Sequence, residues 1–337
     1  MSVLPASFAV LAATGLAAMA FAPFVAAEHR RHGELRAGVA LLRFAALLYA
    51  VGLASYVLLP FADDQICFEP QWQPFASFRS VLMVEQFACN IALFVPLGAL
   101  LRRGPAAAAL VGAAVSVFVE LTQLTGMWFL HPCPYRVFDV DDIIANTTGA
   151  ALGGLLAPLL RRVPTAARDR PATPRLVTAP RRLLGMACDL LLLWWLGVAC
   201  ARGAELVLWL TGTSPGAWWE ASALWFAPAV VLLIPMLLGG SSLGQHAVCL
   251  RARAPTRPKA AALLRWALGI GGLAAAQGTC TVVLGAPDAV LGMLWCTAHA
   301  CGVTVTRDHR GITGLVAGLQ VIDARRSQRA PTAARST

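Results

Sequence analysis

Charged residues are scarce in this chain. Of its 337 residues only 13% are Asp, Glu, Lys or Arg, whereas 58% are hydrophobic and the mean hydropathy is +0.67. Soluble domains carry about 25% charged residues, because their surfaces face water. The composition therefore excludes an ordinary soluble enzyme and indicates a protein whose surface is largely apolar.

Motifs of common catalytic and metal sites are also missing from the sequence. The nine cysteines form no CxxC pair. The chain contains no phosphate-binding glycine loop, no nucleophile with an evident base and no Cys or His metal motif. Whether the protein is an enzyme is therefore open, and a catalytic hypothesis depends on its carboxylates.

Long apolar segments are what the chain contains instead. A helix of about 20 residues crosses a hydrocarbon core about 30 Å thick. Nine such segments predict an all-α, polytopic bundle of about nine transmembrane helices. They cover residues 6–27, 37–60, 82–101, 106–127, 143–160, 183–209, 223–239, 261–284 and 289–305.

Basic residues are distributed unevenly between the predicted loops. If the N-terminus lies outside, 24 of the 27 Lys and Arg residues fall on the inside, as the positive-inside rule requires. The first segment lacks the preceding basic residues of a signal peptide, so we predict a span there. The chain is thus expected to be a multi-pass membrane protein, N-out and C-in. Its net charge of +10 reflects topology, and the expected partner is the lipid bilayer and not nucleic acid.

One proline- and arginine-rich stretch interrupts the apolar pattern. Residues 163–181 predict a flexible cytoplasmic linker. We expect a first span with a basic loop at 1–36, a transmembrane domain at 37–162, a second one at 182–323, and a disordered basic tail at 324–337.

Polar residues concentrate in the third to fifth spans. A charged residue inside a span costs about 2.5 to 3.5 kcal/mol on insertion scales, so each one needs a partner or a function. A helix that opens at Asp139 places Asp139, Asp142 and Asn146 on one stripe. The topology brings seven side chains to a similar depth near the outer face, namely Asn90, Glu120, Gln123, Arg136, Asp139, Asp142 and Asn146.

Two hypotheses account for this outer cluster. In the first, the candidate catalytic carboxylates Glu120, Asp139 and Asp142 hold a magnesium ion. Arg136 then binds the phosphate of a lipid-linked substrate, and the binding site is completed by Asn90, Gln123 and Asn146. In the second, Arg136 and the carboxylates form a salt-bridge network that only stabilises the fold.

The same residues resemble the VanZ-like family of membrane proteins. The family pattern of Asn, F-V-P-L-G, E-x-x-Q and R-x-x-D-x-x-D-x-x-x-N-T-x-G is matched by Asn90, residues 94–98, Glu120 with Gln123, and residues 136–149. The family is named for a protein associated with low-level resistance to teicoplanin. The resemblance therefore implies a multi-pass protein of the bacterial inner membrane with a role in cell-envelope physiology or glycopeptide resistance. In that context the lipid-linked substrate of the first hypothesis is expected to be an envelope precursor, which is the possible partner of the protein.

Two further features of the first half are a pair of cysteines that could form a disulfide and a pair of glycines on one predicted helix. Cys67 and Cys133 fall in predicted outside loops, where an oxidising compartment permits a disulfide. The two thiols are expected either to pair or to remain free. Gly149 and Gly153 predict the close approach of a neighbouring helix.

The second half contains an intramembrane aspartate. Arg182 and Asp189 lie two helical turns apart on one face. They predict either a pair that docks helices or, in the alternative function of a transporter, transport residues on an ion path. A non-catalytic membrane scaffold is a third hypothesis.

Residues 180–323, with an extended segment expected at 246–253, resemble the RDD family of bacterial membrane domains. That family is named for one arginine and two aspartates, and some of its members have been proposed to transport ions or small solutes. Arg182 and Asp189 match the first two positions. Gly314 stands where the second aspartate is expected, which weakens the implied charge-dependent activity.

Overall fold

The structure is a computed structural model that describes residues 5–35, 37–58, 67–75, 81–130, 132–134, 136–162, 173–213, 217–254 and 256–325. The chain divides into two compact units. Unit 1 comprises Met1–Ala17 and Arg36–Ala167, and unit 2 comprises Ala18–Leu35 and Arg168–Thr337. Residues 163–172 of the predicted linker and 326–337 of the predicted tail lie outside the described residues.

Unit 1 is built around four long apolar helices. They are α2 (Ala37–Leu58), α3 (Val81–Leu100), α4 (Pro105–Leu124) and α6 (Val140–Arg161), and a short turn, α5 (Gly126–Phe129), follows α4. Pro105 begins α4, at a position where its missing N–H leaves no hydrogen bond unmade. Met127 and Trp128 have positive φ angles, so α5 reverses the chain after α4.

Small residues let α6 pack closely against α3 and α4. A Cβ atom at Gly149 would lie 2.1 Å from the Ile91 carbonyl oxygen, and one at Gly153 would lie 2.0 Å from that of Val95. Backbone therefore meets backbone here, as in other close helix pairs of membranes. The predicted close approach at Gly149 and Gly153 is confirmed.

Unit 2 combines helices with a small sheet. Helix α1 (Pro5–His32) contributes its residues from Ala18 onward. The other elements are α7 (Ala179–Thr211), α8 (Ala217–Ala221), a π-helical segment (Ser222–Phe226), α9 (Ala227–Gly239), α10 (Leu243–Ala247), β1 (Leu250–Arg253), α11 (Pro258–Leu268), α12 (Ile270–Leu284), α13 (Ala289–Val305), a 3₁₀ turn (Arg307–His309), α14 (Gly311–Val316) and β2 (Gln320–Asp323).

The two strands of unit 2 are antiparallel, with Leu250 opposite Asp323. The predicted all-α fold therefore holds apart from this pair. The expected extended segment at 246–253 is extended only from Leu250 onward, because its first residues belong to α10. A capping box between Ser242 and Gln245 closes the first turn of that helix.

The two larger apolar clusters of unit 2 form much of its interior. One joins Ala22 and Val25 of α1 to Cys188 of α7 and to Val248 and Leu250. The other joins α7, α9 and α12, with the buried side chains Leu193, Leu232 and Leu273. Unit 2 thus buries part of α1, which the sequence assigned to a separate segment.

In the described part of the chain, seven helices are long and apolar enough to cross a membrane. They are Gly38–Val57, Val81–Leu100, Pro105–Leu124, Val140–Arg161, Ala179–Thr211, Trp218–Gly239 and Pro258–Leu284. Helix α13 is apolar but has 17 residues, and α1 is not among the seven. A polytopic helical membrane fold is supported, while nine spans and the N-out, C-in topology stay predictions.

The structure differs from the predicted linker and tail at their edges. Helix α7 begins at Ala179, and Arg175 already binds Glu34 and donates its backbone N–H to Asp323. Arg325 is 8% exposed and donates to Asp323 and to the Gly33 carbonyl oxygen. The arginine-rich composition predicted that both segments are solvated. The buried carboxylate of Asp323 instead holds Arg175 and Arg325 in place.

Candidate functional site

Two loops of unit 1 pair at one end of its helices. The disulfide between Cys67 and Cys133 joins them, which is one of the two outcomes the sequence left open. Beyond it, Gln71 donates its N–H to the Phe138 carbonyl oxygen over 2.7 Å, and its own carbonyl oxygen accepts from Val140 over 3.3 Å. This pairing holds the segment that leads into α6.

The first turn of α6 is built on aspartates. Helix α6 begins directly after Asp139, whose carboxylate accepts the N–H of Asp141 over 2.8 Å. Asp141 is completely buried, and its carboxylate accepts the N–H of Phe75 over 2.5 Å. Acidic side chains are favoured at a helix N-terminus, where they also satisfy backbone donors. The helix start and the covering loop therefore depend on each other.

Burial raises the pKa of Asp139 above its ordinary value. The hydrogen bond from Asp141 opposes this shift, and the negative charge of Asp141 adds to it.

Side chains of α3 and α4 contact the same turn. Glu120 of α4 is 1% exposed, and its Oε2 accepts the backbone N–H of Asp139 over 3.0 Å. Asn90 of α3 is 5% exposed, and its Nδ2 donates to Asp142 Oδ1 over 2.5 Å. Buried polar groups are stable when they are hydrogen-bonded. These two bonds therefore explain how Glu120, Asn90 and Asp142 can be buried.

Asn146 lies one turn further along α6. Its Nδ2 donates to Ser116 Oγ over 2.9 Å, while its buried Oδ1 has no hydrogen-bond partner among the residues that the structure describes. A buried acceptor without a partner costs about 1–3 kcal/mol. The Asn146 amide therefore has one acceptor oxygen that no described residue uses.

A cavity of about 820 Å³ adjoins the cluster inside unit 1. One wall is apolar and includes Leu53, Val57 and Phe94. The guanidinium carbon of Arg136 lies 5.1 Å from the ring centroid of Tyr56, within the range of a cation–π contact. The polar wall is formed by Gln86, Asn90, Glu120, Gln123, Arg136, Asp142 and Asn146.

Six of the seven side chains predicted to lie together line this cavity, and the seventh, Asp139, caps α6 instead. Sequence reasoning did not single out Gln86, Asp141 and Ser116 as members of the site. Gln86 precedes Asn90 by four residues on α3, so helical spacing could have identified it. The role of Asp141 depends on the loop that contains Phe75, for which the sequence shows no periodic pattern.

The carboxylates do not converge on one point. Within the described ranges, no group of three His, Cys, Asp or Glu side chains is arranged to hold a metal ion. Glu120 binds the Asp139 N–H, Asp142 binds the Asn90 amide and Asp141 binds the Phe75 N–H. No preformed centre of three such ligands is therefore present in these ranges, and the magnesium ion, which one or two carboxylates and a substrate phosphate can hold, stays a prediction.

Unit 2 contains a second polar cluster, around Asp189. Its Oδ2 accepts from the Ser242 hydroxyl and its Oδ1 from the Gly244 N–H, each over 2.6 Å. Arg182 donates to the carbonyl oxygens of His309 and Arg310 over 3.1 and 3.2 Å. The two residues share a face of α7, yet each binds a different segment.

No family model matches the second half of the chain, so its RDD resemblance stays a prediction. Gly314, the position at which that resemblance expects a second aspartate, is buried in α14. A Cβ atom there would lie 3.4 Å from the Cβ of Arg310, in ordinary contact. The departure at Gly314 therefore leaves no carboxylate at this position, where the backbone has space for a Cβ atom.

The long apolar helices and their buried polar clusters define an integral membrane protein of several spans. Residues 45–161 match the model of the VanZ/LLP1 family. The first half of the chain therefore contains a VanZ-like domain, whose match includes the whole polar wall of the 820 Å³ cavity. No curated protein and no solved structure matches the chain.

Proposed function

We propose that unit 1 binds the headgroup of a lipid-linked component of the bacterial cell envelope. One observation carries this proposal. Six predicted polar side chains, from three helices and a loop, surround a cavity of about 820 Å³ whose other wall is apolar. Sites for amphipathic ligands combine such apolar walls with a few placed polar groups.

The polar wall suits a headgroup that carries both phosphate and hydroxyl groups. Arg136 can pair with a phosphate through two parallel hydrogen bonds. Glu120 and Asp142 repel a bare phosphate but accept hydrogen bonds from hydroxyl groups, as do the amides of the same wall. A phosphate-linked sugar fits this set better than a simple phospholipid, and no catalytic step is proposed.

The cellular context follows from the same unit. The disulfide between Cys67 and Cys133 supports a location of their loops on the outer side of the bacterial inner membrane, because disulfides persist in oxidising compartments. This placement agrees with the N-out, C-in topology. We also propose a role in the response to glycopeptide antibiotics of the teicoplanin type, which the VanZ/LLP1 family match and the proposed envelope ligand support.

Binding is tested with purified full-length protein in detergent. The probe is a short polyprenyl diphosphate that carries one N-acetylhexosamine, and phosphatidylglycerol serves as the comparison lipid. We expect Arg136→Gln to weaken binding of the probe about tenfold, the effect of one lost charge-assisted bond. Arg103→Gln, the same change at an exposed arginine of unit 1, should have no effect. Equal affinity of wild type and Arg136→Gln, or equal affinity for the two lipids, would exclude the proposal.

The cellular role is tested by complementation of a deletion strain. Strains carrying wild type, Glu120→Gln or Glu85→Gln are compared for sensitivity to teicoplanin and other envelope-targeting antibiotics. Glu85 is exposed on α3 and provides the matched control. We expect Glu85→Gln to restore wild-type sensitivity and Glu120→Gln to fail. If both variants restored wild-type sensitivity, the cavity would have no part in the cellular role.

A second candidate function is transport through unit 2. It is favoured by a separate cavity of about 100 Å³ that includes Arg182 and Asp189 in its lining, and by the RDD resemblance of residues 180–323. A non-catalytic scaffold, in contrast, predicts that neither cavity binds a ligand.

A further inference from the structure

Unit 2 has a partly open cavity of about 100 Å³ whose lining is mostly apolar but contains three charged side chains. Most of its wall is apolar and includes Leu190, Trp266, Leu273 and Trp295. The charged side chains in the wall are Arg182, Arg265 and Asp189, and two other titratable side chains, Cys296 and His299, complete it. The ring nitrogens of His299 lie 2.8 and 3.0 Å from the carbonyl oxygens of Trp295 and Leu268.

The charges of this lining do not cancel. Asp189 uses both carboxylate oxygens for Ser242 and Gly244. In the described part of the chain, no carboxylate oxygen lies within 4.0 Å of a nitrogen of Arg182 or Arg265. Two guanidinium groups and one carboxylate therefore leave one excess positive charge. A charge in an apolar interior costs several kcal/mol unless a counter-charge accompanies it.

The two arginines also have donors to spare. Arg182 uses Nε and Nη2 for backbone carbonyl oxygens, and Arg265 uses Nη1 for Gln245 Oε1 over 2.7 Å. The remaining nitrogens, Nη1 of Arg182 with Nε and Nη2 of Arg265, have no acceptor among the described residues. Unsatisfied guanidinium donors beside a cavity are suited to an anionic acceptor.

We propose that this cavity binds one small monovalent anion between Arg182 and Arg265. The single excess charge matches a monovalent species. The space of about 100 Å³ is smaller than the cavity of about 150 Å³ that admits benzene, so it suits a halide, nitrate or acetate. The apolar walls favour weakly hydrated anions, since these lose less hydration on entry. The proposal is independent of the ligand of unit 1.

Asp189 has a defined part in this site. Its charge lowers the attraction for an anion, while its two hydrogen bonds hold α10 against α7. Asp189→Asn keeps one acceptor oxygen for the Gly244 N–H, its amide NH2 can donate to Ser242 Oγ in place of the second bond, and the net charge of the lining rises from +1 to +2. It should therefore bind the anion more tightly, whereas Arg265→Gln lowers the net charge and should bind it more weakly.

The test uses purified full-length protein and the line width of the chloride NMR signal. We expect wild type to broaden this line and nitrate or acetate to reverse the broadening by competition. Arg265→Gln should weaken chloride binding about tenfold, and Asp189→Asn should strengthen it. Arg202→Gln is the matched control, because Arg202 is 70% exposed on α7 and pairs with Glu205. Equal broadening by wild type and Arg265→Gln would overturn the proposal.

A second measurement needs no variant. Thermal unfolding of wild type is followed in sodium chloride, nitrate, acetate and gluconate at one ionic strength. A bound ligand raises the unfolding midpoint, and the effect grows with ligand concentration over its dissociation constant. The small anions should raise the midpoint in this manner, while gluconate is too large to enter and should not. The same midpoint in all four salts would also overturn the proposal.

Discussion

Glu120 Oε2 lies 3.0 Å from the backbone nitrogen of Asp139 and accepts its hydrogen bond. A side chain of α4 thereby holds the residue that caps α6. Glu120 also lines the cavity of unit 1, so one carboxylate takes part in both the packing of the helices and the proposed binding site. Variants at this position must separate these two roles.

Glu120→Gln and Glu120→Ala are expected to differ in stability. The amide of glutamine still has an oxygen that can accept the Asp139 N–H, whereas alanine leaves this donor without a partner. We predict that Glu120→Ala lowers the free energy of unfolding by about 1–3 kcal/mol and that Glu120→Gln lowers it by less. Unfolding in mixed micelles measures both. Equal losses would mean that the charge, and not the hydrogen bond, stabilises this contact.

Gly153→Ala is expected to disturb the contact of α3 with α6. The new Cβ would lie 2.0 Å from the Val95 carbonyl oxygen, so the backbones must separate. Overpacking of this kind costs about 1–3 kcal/mol. Gly104→Ala is the control, because a Cβ at Gly104 meets no atom within 4 Å. Unfolding midpoints that are the same for both variants would contradict the close approach.

Loss of the disulfide between Cys67 and Cys133 is expected to destabilise unit 1. Disulfides stabilise proteins by about 2–4 kcal/mol. Cys133→Ser should lower the unfolding midpoint and abolish the mobility difference between reduced and non-reduced protein on a gel. Cys301→Ser removes an exposed free thiol and should change neither. A mobility difference that persists in Cys133→Ser would assign it to other cysteines.

Asp323 is expected to make unit 2 sensitive to acid. Burial alone would raise the pKa of its carboxyl group, but hydrogen bonds from Arg325, Arg175 and Arg181 hold the pKa well below its ordinary value. In the unfolded chain the pKa is about 3.9. Because the folded value is lower, this carboxylate stabilises the fold above about pH 4, and the contribution is lost as the pH falls further.

The corresponding variant is Asp323→Asn, which we expect to be about 3–5 kcal/mol less stable than wild type at pH 7, since it breaks a buried ion pair. The difference should shrink as the pH is lowered from 5 to 3. Asp308→Asn serves as the control, because the Asp308 side chain is 61% exposed. A stability difference that stays constant over this pH range would assign the effect to packing. Unfolding midpoints across the pH series provide the measurement.

Apolar runs predicted most helices well, because a helix that faces lipid must be apolar over its whole length. Helix α13 has the predicted bounds, and α3 begins and ends one residue before the predicted span. The predicted depth of the polar residues brought Asn90, Glu120 and Asn146 to one cavity. In these cases a periodic pattern and a local start signal were enough.

Contacts between distant segments were beyond the same reasoning. The pairing of Leu250 with Asp323 and the bond from Phe75 to Asp141 join segments whose partners no local pattern specifies. Arg325 was expected in a disordered tail, yet it is held by Asp323. The composition of a segment predicts whether its residues are solvated on average. It does not predict that one buried carboxylate elsewhere in the chain holds a particular arginine in the interior.

The assignment of residues 18–35 to unit 2 has a practical consequence for dissecting the protein. Val25, at 1% exposure, packs in the same cluster as Cys188 and Val248, and Gly33 accepts a hydrogen bond from Arg325. A fragment that starts at Arg168 would leave this surface uncovered and would invite aggregation. Anion binding by the second half is therefore best measured on full-length protein, or on a fragment supplied with a peptide of residues 18–35.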